Sequence, residues 1–284
     1  MLSKPFSLGG KLILITGAGT GIGRGVALQL ARQGADVVLS YRGSSQGARE
    51  AVEQIQSMGR RAVAIQADLK NVVDCRRVVD EAVQFLGGLD GLINNAGMTL
   101  TKDFLRVTEE DYNDIYNLNI RSQFFTCQQA VPYIITRGKE FETLFPDRKW
   151  MGGSIVNISS VHGNTGFSGH SVYAGTKGAI NAFSRELAIE LCPKHIRVNV
   201  LAPGSIEVPS YFSDPNYNRE AGNRLVPWGR IGLPEDVGYL AAYLMSDAAE
   251  FMTGQILYLD GGLTAKMAID WQPPEGAREM EMKK

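Results

Sequence analysis

Cysteine is scarce in this chain: Cys75, Cys127 and Cys192 are the only three in 284 residues, with no C-x-x-C pair and no His-rich spacing. That excludes a disulfide framework and the common zinc patterns, so no metal is expected, and the thiols are expected to be buried or half-buried in a reducing compartment. Charge of one sign is lacking too. Lys and Arg number 29 against 30 Asp and Glu, and no basic run stands out, so there is no electrostatic footprint for nucleic acid or an anionic membrane. No apolar run approaches the roughly 20 residues that span a bilayer. The opening "MLSKPFSLGGK" has no apolar core of signal-peptide length, and a cytoplasmic location is expected. Repeats and low-complexity linkers are also missing, which favours one domain over 1–284.

What is present is an alternation of β-branched runs with longer segments of helical period. Strands are predicted at "KLILIT" (11–16), "ADVVLSY" (35–41), "RAVAIQAD" (61–68), "LDGLINNAG" (89–97), "GSIVNISS" (153–160), "IRVNVLAPG" (196–204) and "QILYLDGG" (255–262). Between them, helices are predicted over 21–34, 45–58, 72–86 and 109–135, with a further one opened by Tyr173. This βαβ pattern predicts an α/β, doubly wound, Rossmann-type domain with a mostly parallel sheet of about seven strands flanked by helices. Two irregular stretches interrupt it: a polar and aromatic excursion at 137–153, and a Pro-, Gly-, Asn- and Tyr-rich segment at 204–233 of the kind that serves as a substrate lid. A tail runs over 264–284, expected to be ordered only near Trp271.

After the first strand comes "TGAGTGIGRG" (16–25), with Gly17, Gly21 and Gly23 in a G-x-x-x-G-x-G spacing that encloses Thr20 and Ile22. Glycines at a strand-to-helix turn let the backbone approach a pyrophosphate, which the helix N-terminus then stabilises. At the end of the second strand stands "SYRGSS": Arg42 among Ser40, Ser44 and Ser45, with Asp36 at the wrong end of the strand to hold a ribose. An acid there would select NAD; an Arg with hydroxyls suits a 2′-phosphate. NADP is favoured, and NAD is the alternative.

"SVYAGTK" (171–177) sets Tyr173 and Lys177 at i and i+4, neighbours on one helix face. A phenol with an unperturbed pKa of about 10 beside an ammonium is expected to have its ionised form favoured, giving a proton-transfer group for neutral pH.

Taken in order, "TGAGTGIG", Asp68, "NNAG" (94–97), Asn119, Ser160, Tyr173 with Lys177, and "PG" (203–204) resemble the short-chain dehydrogenase/reductase family from about Leu8 to Leu263. The resemblance implies that Tyr173 is the general acid/base, that Lys177 lowers its pKa and binds the nicotinamide ribose, and that Ser160, with Ser159 as the adjacent alternative, orients the substrate oxygen. It implies further that Asn119 holds a water leading from Lys177 to solvent. Asp68 and Leu69 would border the adenine, and Asn95, Ala96 and Gly97 the adenosine ribose; Pro203, Gly204 and Ile206 would complete the nicotinamide end. One departure is visible: "PGSIEV" places Val208 where many members have Thr, so the carboxamide contact would pass to backbone near Ile206.

Phrases such as "SYRGSS", "NISSVHG" and "WGRIGLPEDVGYLAAYLMSD" are similar to bacterial glucose 1-dehydrogenase-like members, and also to 3-oxoacyl thioester reductases. A sugar or polyol is therefore the first expected substrate, a 3-oxoacyl thioester the second, and an idle nucleotide sensor a remote third. His162, Asn164, His170, Glu207, Tyr211 and Trp228 are candidate substrate contacts, with burial as the alternative role for Trp228. Trp150 is a candidate subunit contact. The family resemblance implies a homo-oligomer, commonly a tetramer.

Overall fold

The computed structural model describes residues 5–144 and 150–266. Seven strands form one parallel sheet in the order β3-β2-β1-β4-β5-β6-β7. They are β1 (Leu12–Ile15), β2 (Asp36–Tyr41), β3 (Ala62–Gln66), β4 (Gly91–Asn94), β5 (Gly153–Ile158), β6 (Ile196–Pro203) and β7 (Ile256–Leu259). β1, β4, β5 and β6 are buried along their whole length. That is why they read as continuous apolar runs rather than alternating ones: helices cover both faces.

One face carries α1 (Gly21–Arg32), α2 (Ser45–Ser57) and α8 (Pro234–Met245), packed over Val26, Leu30, Ile55 and Leu244. The other carries α3 (Val72–Leu86), α5 (Ser122–Leu144) and α6 (Ser171–Leu191), packed over Val78, Ala130, Ile134 and Leu191. α3 shows how sequence sets an element. The Asn71 side chain accepts the Val73 N–H at its start, Cys75, Val78, Val79, Ala82 and Leu86 form its buried stripe, and Gly87 at φ 84° ends it. Asp36, at the N-terminal end of β2, is paired with Arg61 at 2.8 Å.

The predicted helix 109–135 is in fact two. α4 (Glu109–Tyr116), held by a Thr108–Asp111 capping box, gives way to a π turn (Asn117–Arg121) before α5 begins. α5 then passes through Pro132 and continues to Leu144, so the first part of the 137–153 excursion is helix. The reason lies in Gly138, which is a seat rather than a stop: a Cβ there would meet the Trp150 ring at 2.6 Å. Trp150 is accordingly buried against α5, which overturns its expected role as a subunit contact. Cys192 is exposed, not buried as expected. Residues 145–149 of the excursion and 267–284 of the tail, with Trp271, lie outside the described residues.

In such a sheet the strand order reverses between β1 and β4, and the crevice at their carboxyl ends is where ligands bind. Everything below is built at that reversal.

Candidate active site

A cleft of about 530 Å³ opens at the strand ends. One wall is the predicted glycine loop, with Gly17, Thr20, Gly21, Ile22 and Gly23 all lining it. Gly17 has φ 64°, and a Cβ on it would fall 2.7 Å from the Ala96 Cα, so only glycine fits between β1 and β4 here. The Asn95 amide staples the turn, donating to the Thr16 and Gly17 carbonyls at 3.0 and 2.9 Å, while the Thr16 hydroxyl accepts from the Asn95 and Ala96 N–H groups. The buried Ser40 hydroxyl accepts the Gly17 N–H, so this serine shapes the loop. Thr20 starts α1 with no capping bond from its side chain, which leaves the hydroxyl open to the cleft.

Asp68, Leu69, Asn95, Ala96 and Gly97 line the same cleft, as do Arg42 and Ser44 at its β2 end. Arg42 is exposed, and its guanidinium has no partner among the described residues; only its carbonyl is engaged, by Gln66. A turn that admits no side chain, free hydroxyls and an unpaired cation beside it together fit a dinucleotide phosphate and a 2′-phosphate.

At the opposite end stand Ser159, Tyr173 and Lys177. Tyr173 lies in the first turn of α6, with the Lys177 Nζ 5.3 Å from its ring centroid. Lys177 is 5% exposed and donates to the Ile158 carbonyl at 3.0 Å, and burial pushes its ammonium down to about 8. Burial also raises the Tyr173 phenol above its ordinary value, against a hydrogen bond from Ser160 that lowers it; Tyr211 adds to the rise. Whatever Lys177 contributes to the phenolate, the net direction is set by desolvation of the phenol, which dominates.

The two serines differ in their partners. The Ser159 hydroxyl, though at the cleft, is spent on the Lys177 carbonyl at 3.1 Å. Ser160, buried beside it, accepts the His162 N–H and holds the Tyr173 pKa down against burial. Asn119 is buried in the π turn, with its amide tied to both main-chain groups of Met98 and to Thr176. Its side chain therefore braces the floor, with no hydrogen bond to Tyr173 or Lys177 among the described residues. A π turn at that point matches the tendency of such bulges to sit at functional sites.

Three predicted cofactor residues do not line the cleft. Pro203 ends β6, Gly204 packs on Asp260, and Ile206 is buried, bridged to Gly232. The wall there is Val208, Pro209 and Ser210. In that bridge Ser205 and Glu207 supply the bonded carbonyl and N–H, so the Ile206 main-chain groups, alternating with them, carry no partner among the described residues.

Around Tyr173 the walls are aromatic. The rings of His162 and His170 lie 5.4 and 6.4 Å from it, and Phe167 lies 5.9 Å from His162. His170 is fully engaged: Nδ1 must carry the proton it gives the Ser168 carbonyl, and Nε2 accepts from Thr101. Burial and the nearby His170 and Lys177 lower the His162 pKa, which keeps that ring neutral at pH 7. From the 204–233 segment come Tyr211, Phe212 and Tyr217, mutually packed at 5.2 and 5.6 Å. Trp228 is 76% exposed, so burial is not its role, and Glu207 is bonded to Tyr217 and Arg219 rather than open to a substrate. Sequence reasoning singled out His162, His170 and Tyr211 but missed Phe167, Phe212 and Tyr217, the rings that pack on them, because no spacing connects these positions.

No helix among the described residues is long and apolar enough to cross a membrane, and no cluster of metal-ligating side chains is found among them.

Residues 17–264 match the family profile described as enoyl-(acyl carrier protein) reductase. The hydroxynaphthalene reductase-like protein Arp2 of Metarhizium anisopliae is 38% identical over 272 residues, 91% of this chain and 96% of that protein. Among solved structures, acetoin dehydrogenase from Enterobacter cloacae superposes with a TM-score of 0.81 at 30% identity, covering 93% of this chain and 98% of that one. A 7α-hydroxysteroid dehydrogenase complexed with NADH and 7-oxo glycochenodeoxycholic acid gives 0.82 at 33% identity, covering 92% and 98%.

Proposed function

Because the chain belongs to the short-chain dehydrogenase/reductase family, oxidoreductases that use a nicotinamide cofactor on CH–OH and carbonyl groups, we propose that it is an NADPH-dependent ketone reductase acting on planar, hydroxylated aromatic ring systems. The observation that carries this reading is the ring cluster at Tyr173, with His162 and His170 packed against it and Phe167 packed on both histidines. Flat π faces stack on flat rings. The name of the Metarhizium relative, a hydroxynaphthalene reductase-like protein, points the same way.

In the reductive direction the Tyr173 phenol, protonated at neutral pH, meets a carbonyl oxygen as an acid. Ser160, bonded to Tyr173, orients that oxygen and keeps the phenol aligned. The neighbouring Lys177 carries its charge below about pH 8, and stabilises the phenolate left when the proton has moved to the substrate. When bound, the nicotinamide supplies the hydride that, with this proton, turns ketone into alcohol. Asn119 acts through the floor of the site by fixing Met98 and Thr176. Gly17, Thr20, Gly21, Ile22 and Gly23 hold the phosphates, Asp68 and Leu69 border the adenine, and Asn95, Ala96 and Gly97 border its ribose. At the carboxamide end the cleft is walled by Val208, Pro209 and Ser210, with Val208 in place of a Thr. Arg42 with Ser44 binds the 2′-phosphate, which is the basis for NADP over NAD.

A sugar or polyol, first in order on sequence alone, is less well served. Both ring nitrogens of His170 are engaged, and Tyr217 is bonded to Glu207, so few groups remain for a ladder of hydroxyls. A 3-oxoacyl thioester keeps its place as the runner-up. The reading places the protein in the cytoplasm as a homo-oligomer, with the exposed Phe124 and Ile189 of α5 and α6 as natural contacts. The test follows NADPH and NADH oxidation with hydroxylated aromatic ketones, aldoses and 3-oxoacyl thioesters. The aromatic ketones with NADPH should lead in kcat/KM by about a hundredfold or more; an aldose or thioester ahead of them would overturn the assignment.

A further inference from the structure

Glu207 is a carboxylate only 9% exposed, and it accepts three charge-assisted or phenolic bonds. Arg219 grips it with both Nε and Nη2 at 2.7 and 2.6 Å, and the Tyr217 hydroxyl donates to the same carboxylate. Its backbone is pinned as well, the Glu207 N–H donating to the Gly232 carbonyl at 2.8 Å. A residue fixed on the body of the fold thus holds the far end of a strap twelve positions on. That strap contains Val208, Pro209 and Ser210, which wall the cleft, and Tyr211, whose ring packs on Tyr217 at 5.2 Å. Arg219 also lies over the Phe212 ring at 5.9 Å, so the grip organises the aromatic cluster.

We propose that Glu207 is a positioning residue, a latch whose bonds to Arg219 and Tyr217 keep the 208–218 strap, with its Val208–Ser210 wall, closed over the cleft. Arg219 lowers the Glu207 pKa, so the latch stays charged at neutral pH. Removing the guanidinium or the carboxylate charge leaves the other partner unmatched, and the strap opens. Binding then needs the minor, closed state, and apparent affinity falls in proportion to its population. The proposal rests on the functional reading only where turnover is measured.

The test uses Glu207→Gln, Arg219→Gln and the double variant, with kcat and KM for the aromatic ketone and the trypsin cleavage rate after Arg224 in the NADPH-loaded protein. Each single variant should raise KM about tenfold with kcat within about twofold, and speed cleavage by a similar factor. The double variant should do no more than either single one, as two halves of one device must. Unchanged KM with unchanged cleavage, a fall in kcat alone, or multiplying effects would overturn the latch. The cleavage arm needs no substrate, so failure of the substrate assignment leaves it decisive. Should Glu207→Gln not fold, Tyr217→Phe, which removes one bond and spares the ion pair, should give about a twofold to threefold change of the same kind.

Discussion

Adding one methyl group to Gly23 is a sharp test of the cofactor cradle. A Cβ at Gly23 would lie 2.4 Å from the Gly17 carbonyl oxygen, 2.5 Å from the Asn95 Nδ2 and 2.8 Å from the Ala18 Cα. Two of these neighbours are backbone and cannot rotate away, so α1 must lift from the turn. Overpacking of this kind costs about 1–3 kcal/mol. The displaced Asn95 amide also gives up its bonds to the Thr16 and Gly17 carbonyls, each contributing about 0.5–1.5 kcal/mol. Gly23→Ala should therefore lose about 2–6 kcal/mol, a fall in Tm of roughly 4–24 °C. The same lift moves the N-terminus of α1 from the cleft, and NADPH affinity should drop about tenfold or more. Gly43→Ala is the control. Its Cβ meets nothing within 4 Å, although it lines the same cleft, and it should be neutral or slightly stabilising. Thermal melts and a fluorescence titration of NADPH read both effects. A Gly23→Ala protein with native Tm and native NADPH affinity would refute the cradle.

Arg42→Leu should weaken NADPH by about tenfold to a hundredfold and change NADH by less than about twofold in the same titration, since only the 2′-phosphate is lost as a partner. Lys177→Met probes buried charge. With its pKa pushed from 10.5 to about 8, the folded protein binds fewer protons than the unfolded chain between those values, so wild-type stability should rise relative to the variant as pH goes from about 8 to about 10.5. Chemical denaturation across that window should show a gain of up to about 3 kcal/mol. Asn119→Ala strips the bonds to Met98 and Thr176 and should cost about 2–4 kcal/mol in the same assay, through the floor of the site rather than through contact with Tyr173.

All seven strands and the glycine turn were legible because buried parallel strands are short and apolar and the turn follows one directly. The Tyr173–Lys177 pair was legible as neighbours along one helix face, whereas Ser160 was named only through the family resemblance, with Ser159 beside it. What escaped depended on contacts distant in sequence. α5 outruns its predicted end because Trp150 fills the space above Gly138, and no local signal announces that partner. Tyr173 titrates upward because burial outweighs its charged neighbour, and burial is a property of the packed site. Glu207 read as a substrate contact until the fold brought Arg219 to it; a buried acid twelve positions before an arginine was the only clue.

The central claim is that Tyr173 donates the proton that accompanies hydride transfer from the nicotinamide to a ketone carbon. It is tested most directly by supplying NADPH deuterated at the transferring position and following the label into product by mass spectrometry, for wild type and for Tyr173→Phe. The account predicts one deuterium in each wild-type product, and a rate at least about 10²-fold lower for Tyr173→Phe with NADPH affinity preserved. Unlabelled product, or a Tyr173→Phe enzyme turning over near the wild-type rate, would contradict it.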